Sequence, residues 1–198
     1  MIPSAHRRSD GNHLRPAVSR VSVKLVRKAI FRADGFGVFT GRSVLVFSPH
    51  PDDETLGCGG MIARKVRSGA EVTLVFMTTG EASHATYMPR EELAALRMGE
   101  ARNAAGVLGV YGEDRVVFLG HRDGELGAVH NLDKQALERI RAQCPDEIFV
   151  PSRWDTTADH QATWQAVFRA LQQYPRPEHR LPGCLVIGRG IPAGRDED

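Results

Sequence analysis

The run Pro49-His50-Pro51-Asp52-Asp53-Glu54 places one imidazole and three carboxylates within five residues. Acidic groups crowded in this way repel one another and desolvate badly unless a positive charge offsets them. A divalent metal does so, because neutral imidazole and carboxylate are both zinc ligands. His50 and Asp53 stand three apart at a tight loop, a spacing that lets both side chains converge on one ion. A third ligand must come from elsewhere, and His160 of Asp159-His160 is the best candidate. Two histidines and one aspartate with an open fourth position form the pattern of a catalytic zinc site rather than a closed structural one. Iron or cobalt can take the same ligands. The His-x-x-Asp pair alone is a weak signal. It gains weight from Asp52, Glu54, the glycine-rich stretch Gly57 to Gly60 and the downstream Asp-His pair.

Alternating elements position these residues. The apolar run Val44-Leu45-Val46-Phe47 predicts a buried strand over Ser43–Ser48, directly before His50. Further strands are expected over Glu71–Thr78, Arg115–Leu119, Glu147–Pro151 and the last apolar run, Cys184–Ile187. Between them the spacing predicts helices over about Thr55–Ser68, Pro89–Leu108, Asp133–Gln143 and Asp159–Gln173. Pro89, the first-turn acids Glu91 and Glu92, and Gly109 mark the ends of the second helix, and Asp133 is the expected N-cap of the third. Such alternation implies an α/β fold, a Rossmann-like, mostly parallel sheet with helices on both faces. Sites in these sheets gather beyond the carboxyl ends of the strands, where His50, Thr79, His121 and the stretch Trp154 to His160 all fall. Gly57, Gly59 and Gly60 fit neither the dinucleotide fingerprint nor a P-loop. His84, His121 and His130 read as loop histidines, and the sequence does not decide whether Trp154 and Trp164 belong to core or pocket wall.

A chain of 198 residues, 41% hydrophobic and 25% charged, suits one domain with a real core. No apolar run has the roughly 18 residues that span a bilayer, and no apolar signal-peptide core follows the N-terminus. Three distant cysteines, Cys58, Cys144 and Cys184, argue for a reducing compartment, so a cytoplasmic location is expected. Residues 1–40 hold eight Lys/Arg against two Asp/Glu, whereas the whole chain is only +2, so the rest is net acidic. We therefore expect a basic N-terminal extension over residues 1–40, partly disordered with one amphipathic helix to about Arg32, and a catalytic domain over residues 41–198. A basic arm can touch nucleic acid or an anionic membrane, but a docking tail is the simpler reading and no nucleic acid is expected as partner.

Over residues 42–175 the chain resembles the LmbE-like, or PIG-L, family of zinc-dependent N-acetylglucosaminyl deacetylases. The resemblance is strongest in Ser48 to Gly60 and continues in Thr79-Gly80-Glu81, Arg97-Met98-Gly99-Glu100, Phe118-Leu119-Gly120, Asp123-Gly124, Val150-Pro151 and Asp159-His160-Gln161-Ala162. It implies an LmbE-like fold and a zinc-dependent N-deacetylase acting on linear amide bonds of a small N-acyl amino sugar or glycoconjugate. It further implies His50, Asp53 and His160 as metal ligands, and Asp52 as the general base for the zinc-bound water. Arg97 and Asp123 are implied as substrate-binding residues, and Asp159 as a catalytic acid paired with an imidazole that helps hold the oxyanion. That imidazole is absent: the family pattern His-x-Asp-His reads Thr157-Ala158-Asp159-His160 here. Losing one oxyanion donor lowers rate by roughly 10²–10³, so a slow enzyme, a replacement donor and a non-catalytic metal-retaining binding protein all stay open. The chain also ends soon after Ile187, where the family usually continues. Substrate and homo-oligomerisation are open.

Overall fold

The computed structural model describes residues 43–83 and 88–174, together with the backbone of 183–186. The expected basic extension, with its helix, lies outside the described residues, as do His84 and everything after Val186.

Five strands form one sheet in the order β3-β2-β1-β4-β5. They are β1 (Val44–Ser48), β2 (Val72–Thr78), β3 (Val116–His121), β4 (Glu147–Val150) and β5 (Gly183–Val186). All four pairings are parallel, with Val44 in register with Val72 on one side and with Glu147 on the other. Helices α1 (Asp53–Arg67), α2 (Arg90–Leu108), α3 (Leu132–Gln143) and α4 (Ala158–Gln173) make the connections. None of the described helices is long and apolar enough to cross a membrane.

Strand periodicity sorts the core into two layers. Val44 and Val46 pack with Ile62 of α1 and with Ala101 and Ala105 of α2. Leu45 and Phe47 point the other way, onto Ala136, Leu137 and Ile140 of α3 and Ala166, Val167 and Ala170 of α4. Every residue of β1 and β2 is buried, as expected of central parallel strands covered on both faces.

The strand order explains where the chemistry sits. From β1 the chain moves outward to β2 and β3, then returns past β1 to place β4 on its other side. The loops leaving β1 and β4 therefore diverge, and a crevice opens beyond their carboxyl ends. His50 follows β1, and His160 follows β4.

Three local expectations change. Strand β3 runs on to His121, a residue expected in the following loop. Helix α1 starts at Asp53, two residues earlier than expected. The third helix has Asn131, not Asp133, as its N-cap, in a left-handed conformation without a side-chain cap. Asp133 lies in the first turn and accepts a hydrogen bond from Gln173 of α4.

Candidate metal centre and cleft

The β1–α1 loop is fixed from several sides. Pro49 O accepts from both the backbone N–H and the hydroxyl of Thr78, at 3.0 and 2.9 Å, and Ser48 Oγ donates to His50 O. Asp53 folds back so that its Oδ2 accepts the His50 backbone N–H at 3.1 Å. That oxygen also lies 3.1 Å from His50 Nδ1 and 3.2 Å from His160 Nε2, and the two imidazole centroids are 5.4 Å apart. One oxygen and two ring nitrogens, from residues up to 110 positions apart in sequence, thus converge within 4.8 Å of one another.

Each imidazole turns its other nitrogen to a carboxylate. His50 Nε2 is 3.2 Å from both Asp159 Oδ2 and Asp123 Oδ1, and His160 Nδ1 is 2.9 Å from Asp155 Oδ2. Such acids fix ring orientation and tautomer, and Nδ1 of His50 and Nε2 of His160 are the ring atoms that face Asp53 Oδ2. The donor set, with two oriented imidazoles and a shared carboxylate, fits a divalent cation of the zinc type.

The electrostatics agree with that fit. Burial lowers the pKa of His50, but its hydrogen bonds to Asp123 and Asp53 outweigh this and raise it to about 10. His160 is raised against its own burial by Asp53 and Asp155. Burial works to raise Asp53, yet the hydrogen bonds from His160 and His50 hold it well below the usual carboxylate range. Asp123 is lowered chiefly by its hydrogen bond with His50. Asp53 lies between the two imidazoles while Asp123 and Asp155 face their other nitrogens, so all three carboxylates favour positive charge at this pair of rings.

Asp159 is 2% exposed; its two oxygens accept the backbone N–H groups of Gly124 at 2.7 Å and Leu126 at 3.1 Å. Asp123 accepts from Ala82 N and donates its own N–H to buried Glu81. Both acids stand behind His50. The cleft, about 530 Å³, is lined instead by Asp52, Asp53, His160, Leu56, Trp154 and Thr157, among others.

Asp52 is 52% exposed and adopts φ 119°, a left-handed backbone that side chains rarely tolerate. Buried Glu54 accepts the Asp52 backbone N–H at 3.1 Å, which gives Glu54 a role that the sequence alone does not assign. Arg97 donates to Pro51 O and stands 3.3 Å from Asp52 Oδ2. Gly80, at φ +69°, makes room for this arrangement: a Cβ there would lie 3.0 Å from both Arg97 Nε and Pro51 Cδ. Arg97 Nε is buried without a hydrogen-bond partner.

His50, Asp53 and His160 thus come together, with Asp52 at the cleft edge. Arg97, Asp123 and Asp159 reach the same loop, Arg97 at Pro51 O and Asp52, and the two acids at His50 Nε2. His121 is turned to Gln135, 2.9 Å away. Sequence reasoning missed Asp155 and Glu81. A ligating histidine needs an acceptor at its second nitrogen, so the loop preceding His160 was the place to look for an acid.

Comparison with known proteins places this geometry in context. The chain is 31% identical to diacetylchitobiose deacetylase of Thermococcus kodakarensis, over 74% of this chain and 48% of that protein. It is 32% identical to a probable N-acetyl-alpha-D-glucosaminyl L-malate deacetylase 2 of Bacillus anthracis, over 74% of this chain and 66% of that protein. It therefore spans about half to two thirds of the length of these relatives. The solved N,N'-diacetylchitobiose deacetylase of Pyrococcus horikoshii superposes with a TM-score of 0.64 at 30% identity, covering 77% of this chain and 57% of that one. The PIG-L family model, described as GlcNAc-PI de-N-acetylase, matches residues 45–171, and the chain belongs to that family.

Proposed function

We propose that this protein is a metal-dependent hydrolase that removes an N-acyl group, in the first instance acetyl, from an amino sugar or related glycoconjugate. The observation that carries this reading is the convergence of His50 Nδ1, Asp53 Oδ2 and His160 Nε2 beside Asp52, a carboxylate left open to the same cleft. The relatives, named as deacetylases of N-acetylated sugars, support the enzyme over a non-catalytic binding protein.

His50, Asp53 and His160 would hold the ion, with zinc the first candidate. When bound, it would polarise the acyl carbonyl and acidify the attacking water. Asp52 takes the proton from that water and returns it to the departing nitrogen, so the amine leaves neutral and the acid is released. Arg97 and Glu54 hold Asp52 at its station, through Pro51 O and the side chain on one side and through the backbone N–H on the other. Asp155, Asp123 and Asp159 orient the two imidazoles. Thr157 lines the cleft, and in this reading its hydroxyl is the neutral donor available to the oxyanion.

Metal analysis combined with acetate release from a panel of N-acetyl amino sugars tests the reading. The expected result is near-stoichiometric zinc and acetate release that disappears in Asp52→Ala. Metal-loaded protein that liberates no acid from any N-acyl amino sugar would overturn it.

A further inference from the structure

The cleft has a second character away from the metal ligands. Trp154 is 73% exposed and Leu56 is 62% exposed, and both line it. Large side chains this open to water on a cleft wall mark a contact surface for a ligand. The indole does not hang on a free loop. The Trp154 backbone N–H is bonded to Ser152 Oγ at 3.2 Å, and that of Asp155 to Ser152 O at 3.1 Å, with Ser152 buried. The next residue, Asp155, holds His160. Trp154 is therefore fixed, through one residue, to the same turn that aims a metal-ligating imidazole.

One face of the indole is covered: the Arg153 guanidinium lies 4.0 Å from the ring centroid. A cation there holds the ring in place, and with 73% of the residue exposed the opposite face is the one available to a ligand. The cleft is thus lined both by charged groups, Asp52, Asp53 and His160, and by the exposed Trp154 and Leu56. Its volume of about 530 Å³ falls in the range of sites for ligands far larger than an acetamide.

We propose that Trp154 and Leu56 form a subsite for the ring attached to the amino sugar, the aglycone, which stacks on the open face of the indole while the acyl amide meets the metal end. This rests on the amide-hydrolysis reading above and adds a substrate class: glycosides whose aglycone presents an apolar ring face. Rings stack on a fixed indole with little loss of freedom on either side.

The test reads binding, not turnover. Full-length, zinc-loaded Asp52→Asn protein is titrated with the phenyl and methyl glycosides of N-acetylglucosamine, each as both anomers. For one anomer the phenyl glycoside should bind about tenfold more tightly, since a good aromatic stack supplies a factor of that order. Adding Trp154→Ala should collapse the preference to less than about twofold, and Trp154→Phe should restore part of it. A preference that survives Trp154→Ala, or no preference in the parent, overturns the proposal. So does a Trp154→Ala effect confined to N-acyl chain length, measured with N-acetyl against N-octanoyl glucosamine, because the rim would then hold the acyl group. Acetate release plays no part in the readout, so a wild-type chain that hydrolyses nothing refutes the deacetylase reading separately.

Discussion

The two loops that build the candidate metal centre achieve the same end by different means. The β1–α1 loop is pinned by partners distant in sequence: Thr78 of β2, Arg97 of α2, and Asp159 and Asp123 behind His50. The β4–α4 loop supports itself locally, with Ser152 holding Trp154 and Asp155, and Asp155 holding both Thr157 N and His160. A loop tied to the core through buried groups has few alternatives. One that carries its own hydrogen bonds at the surface can change residues while keeping its outline. Thr157, where the resemblance implies an imidazole, falls in the self-supported loop.

The largest expected effect probes the pinned loop. Asp52→Ala should lower kcat by roughly 10²–10⁴ with zinc content unchanged; lost zinc would mean that Asp52 belongs to the ligand set. The next probes the self-supported loop. Thr157→His should raise kcat by up to about 10², the scale of one oxyanion donor, measured on the best acetylated sugar. An unchanged rate would show that another donor already fills that role.

Removing the two bracing acids contrasts the loops directly. Asp155→Ala and Asp159→Ala should each weaken zinc binding by about 10–100-fold in competition titrations. Only Asp159→Ala should also destabilise the fold appreciably, by about 1–3 kcal/mol in urea, because it strands the Gly124 and Leu126 N–H groups near a buried site. Equal losses of stability would erase the distinction between the loops.

The smallest effect is a pH dependence of the metal-free chain. His50 is raised from 6.5 to about 10 in the fold, so its protonated form binds the folded state better than the unfolded one. That contribution is fully present below pH 6.5 and is lost as pH rises towards 10. Chelator-treated protein should melt at progressively lower temperature across this window, and Asp123→Asn should flatten the slope.

Much of this was legible in the sequence. Buried strands and amphipathic helices follow from periodicity, and His50 with Asp53 follows from two ligand types three apart in one loop. What stayed hidden depends on the return of the chain. Arg97 meets Pro51 O across 46 positions, and no local pattern announces that contact. Asp155 looks like any acid in a polar loop until His160 is placed beside it. Asp159 is expected as an acid paired with an imidazole; its long-range partners, the backbone N–H groups of Gly124 and Leu126 and the ring of His50, become visible only in the fold. Helix α1 begins early because Asp53 and Glu54 bond back to the His50 and Asp52 N–H groups, a capping effect that hydrophobic periodicity cannot register.

The left-handed backbone of Asp52 has an evolutionary consequence. A side chain held there carries strain on the order of 1–3 kcal/mol, which glycine would relieve. Asp52→Gly should therefore fold and express as well as the parent, or better, while losing the carboxylate proposed as the general base. Selection for durability alone would drift towards glycine at this position, and a screen for solubility or melting temperature would reward that loss.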